Sequence, residues 1–249
     1  MSNRPRIVIV SATSAIAEHC ARHWVGEGPV DLVLVGRDAA RVERVAADLR
    51  VRGPGTTVEV IASDFLDPAK IRATVDHIAG KPIDTVLIAQ GSLPDQITCQ
   101  NDLQLCRDTL AINGLSPVLF AEAFAGHMEK ANRGTLAIIG SVAGDRGRKS
   151  NYVYGSAKGM VERYAQGLQH RLASTPVKVV LIKPGPTDTP MTAGMKAQGL
   201  KVAPVEQVAD QARQAVRRGA AIAYVPGKWR IIMRVIQHLP AIIFNKLNI

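Results

Sequence analysis

The sequence predicts a single α/β domain, residues 1–249, in which a doubly wound parallel sheet carries helices on both faces. Three observations lead there: short runs rich in Val and Ile recur along the chain, segments with helical spacing separate them, and no repeat or low-complexity linker interrupts the alternation. The runs Arg6–Val10, Asp31–Val35, Thr57–Ala62, Asp84–Ala89, Gly134–Gly140, Lys178–Lys183 and Ala221–Val225 read as strands buried on both faces. Helical spacing marks Ala15–Glu27, Arg41–Arg50, Pro68–Ile78, Asp102–Glu129, Asn151–Ala173 and Val205–Arg218. Parallel neighbours require crossover connections, so this order predicts helices above and below one sheet. Open sheets of this kind bind ligands beyond the carboxyl ends of their strands, and the residues following each strand are where chemistry is expected.

Composition narrows the function. The 31 Lys and Arg against 21 Asp and Glu give a formal charge of +10, yet only 4% of residues are aromatic and the basic side chains are spread out. A nucleic-acid partner is therefore not expected, although such a field attracts phosphates and acidic lipids. Cys20, Cys99 and Cys106 show no metal-ligand spacing and cannot all pair, which suits a reducing compartment and no metal site. Met1–Pro5 runs straight into the first strand without the apolar core of a signal peptide, so the expected location is the cytoplasm.

The strongest chemical signal is Tyr154-Gly155-Ser156-Ala157-Lys158, where a spacing of four places tyrosine and lysine on one helix face. A nearby ammonium is expected to lower the phenol's pKa and suit it to exchanging a proton with a carbonyl or alcohol oxygen. The spacing alone is weak. Tyr224 and Lys228 repeat it with Pro226 and Gly227 between them, which oppose a helix. Ser141 raises the first pair above this internal control, because it follows an apolar strand thirteen residues earlier.

Taken in order, Gly140-Ser141-Val142-Ala143-Gly144, Tyr154-x-x-x-Lys158 and Pro184-Gly185-x-x-x-Thr189 resemble the classical short-chain dehydrogenase/reductase family, from about Arg6 to Pro226. The resemblance implies a Rossmann-type fold and a hydride transfer between nicotinamide and a carbonyl or alcohol. It assigns Tyr154 as acid or base, Lys158 as a further contact to the nicotinamide ribose, Ser141 as the group orienting the substrate oxygen, and Asn113 as a proton-relay residue. A buried amide that only satisfies neighbouring backbone is the alternative for Asn113, a strand-end turn for Ser141, and a solvated helix face for Tyr154 and Lys158.

The cofactor positions implied by the same resemblance are Ser11, Thr13, Ser14 and Ile16 after the first strand, Arg37, Asp64, Phe65, Gly91, Tyr154, Lys158, Pro184, Gly185, Thr187 and Thr189. The first loop departs from the family, which has glycines where this chain has Ser11, Ala15 and Ala17. Small replacements leave the turn possible, and a helix starting there still offers amides to phosphate. A tight turn that binds nothing is the alternative. Gly36-Arg37-Asp38 lacks a carboxylate at position 36, and Arg37 suits a ribose phosphate, so NADP(H) is favoured and NAD(H) is the alternative. For Asp64, which matches an adenine contact, the alternative is a helix N-cap near Asp67-Pro68. Gly91 matches the last position of the family's Asn-Asn-Ala-Gly motif, while Ile88, Ala89 and Gln90 depart from it.

The main expectation is thus an NADP(H)-dependent ketone reductase; a non-catalytic nucleotide sensor or interaction protein of the same fold is the competing reading, motivated by the missing glycines. A nucleotide-sugar epimerase of the extended branch needs a larger substrate domain than this chain supplies. The resemblance also implies a homodimer or homotetramer built on Asp102–Glu129 and Asn151–Ala173. Pro190–Ala203, with Met191, Met195 and Leu200, is expected to be a substrate lid, against a surface helix as its alternative. In Lys228–Ile249, Trp229, Ile232, Met233 and Ile236 recur at helical spacing opposite Arg230, Arg234 and Gln237, before Pro240 and the apolar Ile242, Ile243, Phe244 and Leu247. This amphipathic segment is too short and charged to span a bilayer but suits its surface at the inner membrane face; packing on the core or a partner subunit is the alternative. The segment, together with Ser141–Gly144 and Arg148–Asn151, resembles mycobacterial decaprenylphosphoryl keto-pentose reductases, which implies a lipid-linked keto-sugar substrate.

Overall fold

A computed structural model describes residues 4–197 and 199–247. Gln198, Asn248, Ile249 and the side chain of Met195 lie outside the described residues. Seven strands form one parallel sheet: β1 (Arg6–Val10), β2 (Asp31–Gly36), β3 (Thr57–Ala62), β4 (Thr85–Ile88), β5 (Thr135–Ile139), β6 (Lys178–Pro184) and β7 (Ile222–Val225). Their spatial order is β3-β2-β1-β4-β5-β6-β7, and every neighbouring pair is parallel. The chain winds outward from β1 on one side and from β4 on the other. A crevice at the carboxyl ends of β1 and β4 follows, because the connections leave those two strands in opposite directions.

Alternation along the strands divides the core into two layers. Ile7 and Ile9 of β1 face α1 (Ala15–Glu27), α2 (Ala39–Arg52) and α9 (Val205–Arg218), whereas Val8 and Val10 face α3 (Pro68–Ala79), α6 (Ser116–Ala131) and α7 (Tyr152–Arg171). Phe120 and Phe124 of α6 are fully buried, and Phe120 meets Phe65 edge-on with ring centroids 5.3 Å apart. Burying such a ring contributes roughly 2–3 kcal/mol. Beside these apolar layers, Lys183 of β6 and Asp145 are 1% and 0% exposed and paired, with Glu162 of α7 2.8 Å from the same ammonium. Tyr224 of β7 donates to Asp145 (3.0 Å) and lies under Lys183, so one buried charge cluster ties β6, β7, α7 and the loop after β5.

Two expectations need correction, and three short helices escape the pattern. Burial on both faces fails for β3 and β7, the edge strands, where Thr57, Glu59, Ala62 and Ile222 are exposed. The single helix expected over Asp102–Glu129 is α5 (Leu103–Leu110), a π-helical turn (Ala111–Leu115) and α6; apolar periodicity carries through the interruption, so it is invisible in the pattern. Short helices α4 (Gln96–Asn101), α8 (Ala193–Ala197) and α11 (Ala241–Phe244) fall below the length at which periodicity is readable.

The tail also differs from expectation. Helix α10 (Trp229–His238) packs inward through Met233, which is fully buried, and through the part-buried Trp229 and Ile236, while Ile232 keeps 37% of its surface exposed. Outward it presents Ile231 (72% exposed) and Val235 (58%), with Ile242 (77%) beyond Pro240. Part of the tail is therefore core and part is an apolar outer face.

Candidate active site

Ser11 begins the turn between β1 and α1 with φ 66°, in the left-handed region where glycine is the unstrained residue. The turn survives because the Ser11 and Ala12 amides both donate to the Val35 carbonyl (2.9 and 3.1 Å) and Ser14 N donates to Ser11 O (2.9 Å). Ala17 is fully buried, so the close contact between α1 and the sheet tolerates a methyl group. Ser14 makes no side-chain cap, which leaves first-turn amides of α1 without an intrahelical partner at a cavity lined by Ser11, Thr13, Ser14 and Ile16. Uncapped amides at a positive helix end fit a pyrophosphate.

The cavity measures about 690 Å³ and continues past Ser141, Tyr154, Lys158, Gly185 and Thr189. Ser141 follows β5 by two residues and accepts from Ala143 N (3.1 Å), starting the 3₁₀ turn Val142–Gly144. That turn lies directly on α7: a Cβ on Gly144 would stand 2.8 Å from the Lys158 carbonyl carbon, and one on Gly155 2.9 Å from the Ala143 carbonyl oxygen. Glycine is required at both positions by contact, and the contact brings the Ser141 hydroxyl to the Tyr154 phenol at the cavity wall. Lys158, 2% exposed, donates to the carbonyls of Gln90 (3.2 Å) and Ile139 (3.1 Å) at the ends of β4 and β5, with its ammonium 5.8 Å from the Tyr154 ring centre. The control pair is separated: Tyr224 lies in β7 and Lys228 beyond the turn.

The electrostatics reverse one expectation. Burial holds the Tyr154 phenol above its ordinary value, opposed by the Ser141 hydrogen bond and by the Arg148 guanidinium. The lysine is not the cation acting on it. Burial also lowers Lys158 itself, from 10.5 to about 8.

Asn113 sits on the π-helical turn, fully buried. Its Oδ1 accepts from Ser92 N (2.9 Å), and its Nδ2 donates to Thr109 O (2.9 Å) and Ser92 Oγ (3.3 Å). The amide thus braces the turn after β4, where a Cβ on Gly91 would lie 3.4 Å from Asn113 Oδ1 and 3.9 Å from Lys158 Nζ. Arg37 is exposed, 6.0 Å over the Phe65 ring, and borders both this cavity and a second one lined by Asp64, Phe65 and Lys70. The Asp64 carboxylate accepts from Leu66 N (2.7 Å) and Asp67 N (3.0 Å), which lowers its pKa; the N-cap of α3 is Asp67 itself. Phe65 is mostly committed to the core against Phe120. Thr187 is buried and donates to Gly185 O (2.9 Å), while Thr189 caps the 3₁₀ turn Pro190–Thr192. A Cβ on Gly185 would overlap the Trp229 indole, so the tail reaches the wall of the cavity.

Sequence reading missed Arg41, Arg148 and Asn151, which also line the cavity. Arg41 lies in the first turn of α2, four residues after Arg37, and this closeness in sequence was available as a signal. Arg148 and Asn151 entered the sequence reading only as part of a resembling segment, with no role, because their place at the cavity depends on the path of the loop. Among the described residues no group of three His, Cys, Asp or Glu is arranged to hold a metal.

A family model for short chain dehydrogenases matches residues 5–199. An uncharacterized oxidoreductase of Streptomyces coelicolor is 30% identical over 250 residues, spanning 99% of this chain and 97% of its own. Among solved structures, a short-chain dehydrogenase from Sphingobium yanoikuyae in complex with NADPH superposes with a TM-score of 0.79 at 24% identity, covering 95% of this chain and 97% of that one. A Burkholderia cenocepacia short chain dehydrogenase in complex with NADP gives 0.83 at 17% identity, covering 99% and 98%.

The depressed Lys158 pKa has a testable consequence. Below about pH 8 both folded and unfolded chains carry the ammonium, and the folded one bears its full burial cost. Between about 8 and 10.5 the unfolded chain binds more protons, so stability rises with pH, by at most roughly 3 kcal/mol. Urea unfolding of the wild type and Lys158→Met from pH 7 to 10 is expected to show the wild type gaining relative to the variant; parallel curves would contradict the assigned cause.

Proposed function

The chain belongs to the short-chain dehydrogenase family, and on that premise we propose that it is an NADP(H)-dependent reductase converting a ketone to an alcohol, with Tyr154 as general acid. The observation carrying this reading is one continuous cavity that joins uncapped α1 amides to Ser141 and Tyr154. The cofactor, when bound, supplies the hydride. Tyr154, kept protonated by its raised pKa, gives the phenolic proton to the carbonyl oxygen, which Ser141 orients. Lys158 has three ammonium hydrogens and two carbonyl partners here, leaving one donor for a ribose hydroxyl. Asn113 acts as a positioning residue that holds the Gly91–Ser92 turn, and through it extends the proton path. Arg37 and Arg41 suit a ribose phosphate and favour NADP(H) over the alternative NAD(H), in keeping with the nucleotide in both solved relatives described above.

Pro190–Ala203 acts as the lid. Thr187 and Ala203 pair at its base, Asp188 N donates to Ala203 O (2.8 Å), and Met191 and Leu200 line the cavity. Exposed Leu103 on α5, and Tyr152 and Met160 on α7, support a homodimer or homotetramer through these helices. The finer reading is a lipid-linked keto-sugar reduced in the cytoplasm at the inner membrane face. The outward Ile231, Val235 and Ile242 beside Arg230, Arg234 and Lys246 support a surface contact with acidic lipid.

With NADPH and a panel of ketones, Tyr154→Phe is expected to lower turnover by about 10²–10⁴-fold while NADPH affinity stays within about twofold. Near-normal turnover would overturn the assignment. In the same assay Arg37→Ala with Arg41→Ala should raise KM for NADPH about tenfold or more and leave NADH nearly unchanged; equal losses would contradict phosphate reading.

Flotation with vesicles containing phosphatidylserine tests the surface contact. Because Trp229 and Met233 belong to the packed interior, the informative variant is Ile231→Glu with Ile242→Glu rather than removal of the tail. Salt-sensitive binding by the wild type and its loss in this variant are expected; a folded wild type that stays off the vesicles at low salt would exclude the membrane contact.

A further inference from the structure

Two arginines leave the loop after Ser141 toward different surroundings. Arg146 is fully used: its Nη1 donates to the carbonyls of Ile236 (2.5 Å), Gln237 (3.3 Å) and Leu239 (2.7 Å), and its guanidinium stacks 3.7 Å from the Phe244 ring centre. It fastens the C-terminal helices to this loop. Arg148 lines the cavity beside Tyr154, and its Nε is buried with no hydrogen-bond partner among the described residues. The nearby Asp145 carboxylate acts on Arg148 through space but makes no hydrogen bond to its Nε, being paired with Lys183 and accepting from Tyr224.

A second orphan lies beside the first. Asn151, three residues on and at the start of α7, lines the same cavity with Oδ1 buried and unpartnered among the described residues. Buried donors in native proteins are almost always satisfied, and a guanidinium is costlier to leave than a neutral group. An orphaned guanidinium edge at the wall of a binding cavity is what remains when its partner arrives with the ligand. Leu93, Val142, Met191 and Leu200 make other parts of that wall apolar.

We propose that Arg148, with Asn151 beside it, is the specificity-determining site for an anionic oxygen, a carboxylate or a phosphate, carried by the ketone substrate on an otherwise apolar or uncharged body. This rests on the reductase reading and deepens it. The site lies beside Tyr154, on the loop after β5 rather than between the end of β2 and the first turn of α2 where Arg37 and Arg41 stand, and serves the substrate rather than the nucleotide. Burial of Arg148 also explains why its charge is felt at the Tyr154 phenol.

Matched pairs test it: levulinate and 5-oxohexanoate against their methyl esters, and dihydroxyacetone phosphate against dihydroxyacetone. Each is followed by NADPH oxidation and, separately, by quenching of tryptophan fluorescence in the NADP⁺-loaded protein. The wild type is expected to favour at least one anionic member about tenfold or more, through KM. Arg148→Gln should abolish that preference, read as the ratio of KM for the neutral to the anionic member of each pair, and Arg148→Lys should recover part of it. The phosphate and carboxylate arms show which anion is read. A wild type that treats every pair alike, or an Arg148→Gln variant that weakens both members equally, overturns the proposal; the second result would mean that Arg148 only adjusts Tyr154. If Arg148→Gln does not fold, Arg148→Lys against the wild type decides, since a point charge without the planar fork should shrink the preference. If no ketone is reduced, the reductase reading fails, and the fluorescence titrations still decide whether Arg148 binds the anion.

Discussion

The Lys158 ammonium, held between the carbonyl ends of β4 and β5, is the constraint on which the rest of the site depends. Burying a lysine is costly, and two charge-assisted bonds at the sheet's edge offset part of that cost. They also fix the rotation of α7 about its axis. With Lys158 turned to the sheet, Tyr154 one turn earlier must face the same crevice. Its distance from Ser141 then follows from the glycine contacts of Gly144 and Gly155, which let the turn after β5 touch the helix backbone. Beneath this arrangement, the buried Lys183–Asp145–Glu162 cluster joins the same loop and the same helix to β6. Removing one partner of such a cluster leaves an uncompensated charge, which makes it a strong tie between the elements it joins.

The same loop links the active site to the C-terminus. Arg146 grips the carbonyl end of α10 while Trp229 closes against Gly185 on the opposite wall. The tail is therefore part of the architecture of the cavity, and its outward apolar row is an addition to that role. A surface contact at Ile231 and Val235 would act on a helix already joined to the loop carrying Ser141 and Arg148.

Much of the fold was legible because buried parallel strands and amphipathic helices write different periods into a chain. Five of the six helical segments and all seven strands lie where the apolar pattern puts them, with ends shifted by a few residues, and the sixth is broken at Ala111–Leu115. The pattern could not show that Thr57–Ala62 and Ile222–Val225 are edges, because strand order is not local information. The π-helical turn was hidden too, although it carries Asn113. At the site, Ser141, Tyr154 and Lys158 were readable through their order and spacing. The positive φ of Ser11 was not, because only the hydrogen bonds to Val35 reveal that serine accepts glycine's conformation there. Arg148 stayed unseen for a related reason: Arg146 and Arg148 look alike in sequence, and only burial and partners tell the structural one from the one facing the cavity.

The central claim is that the anchored lysine presents its remaining donor to the cofactor, and NADPH affinity measures it most directly. Fluorescence titration of NADPH into Lys158→Met, with its fold verified by circular dichroism, should show binding weakened at least about tenfold relative to the wild type, as expected for losing one charged hydrogen bond. Unchanged affinity in a folded variant would contradict the account.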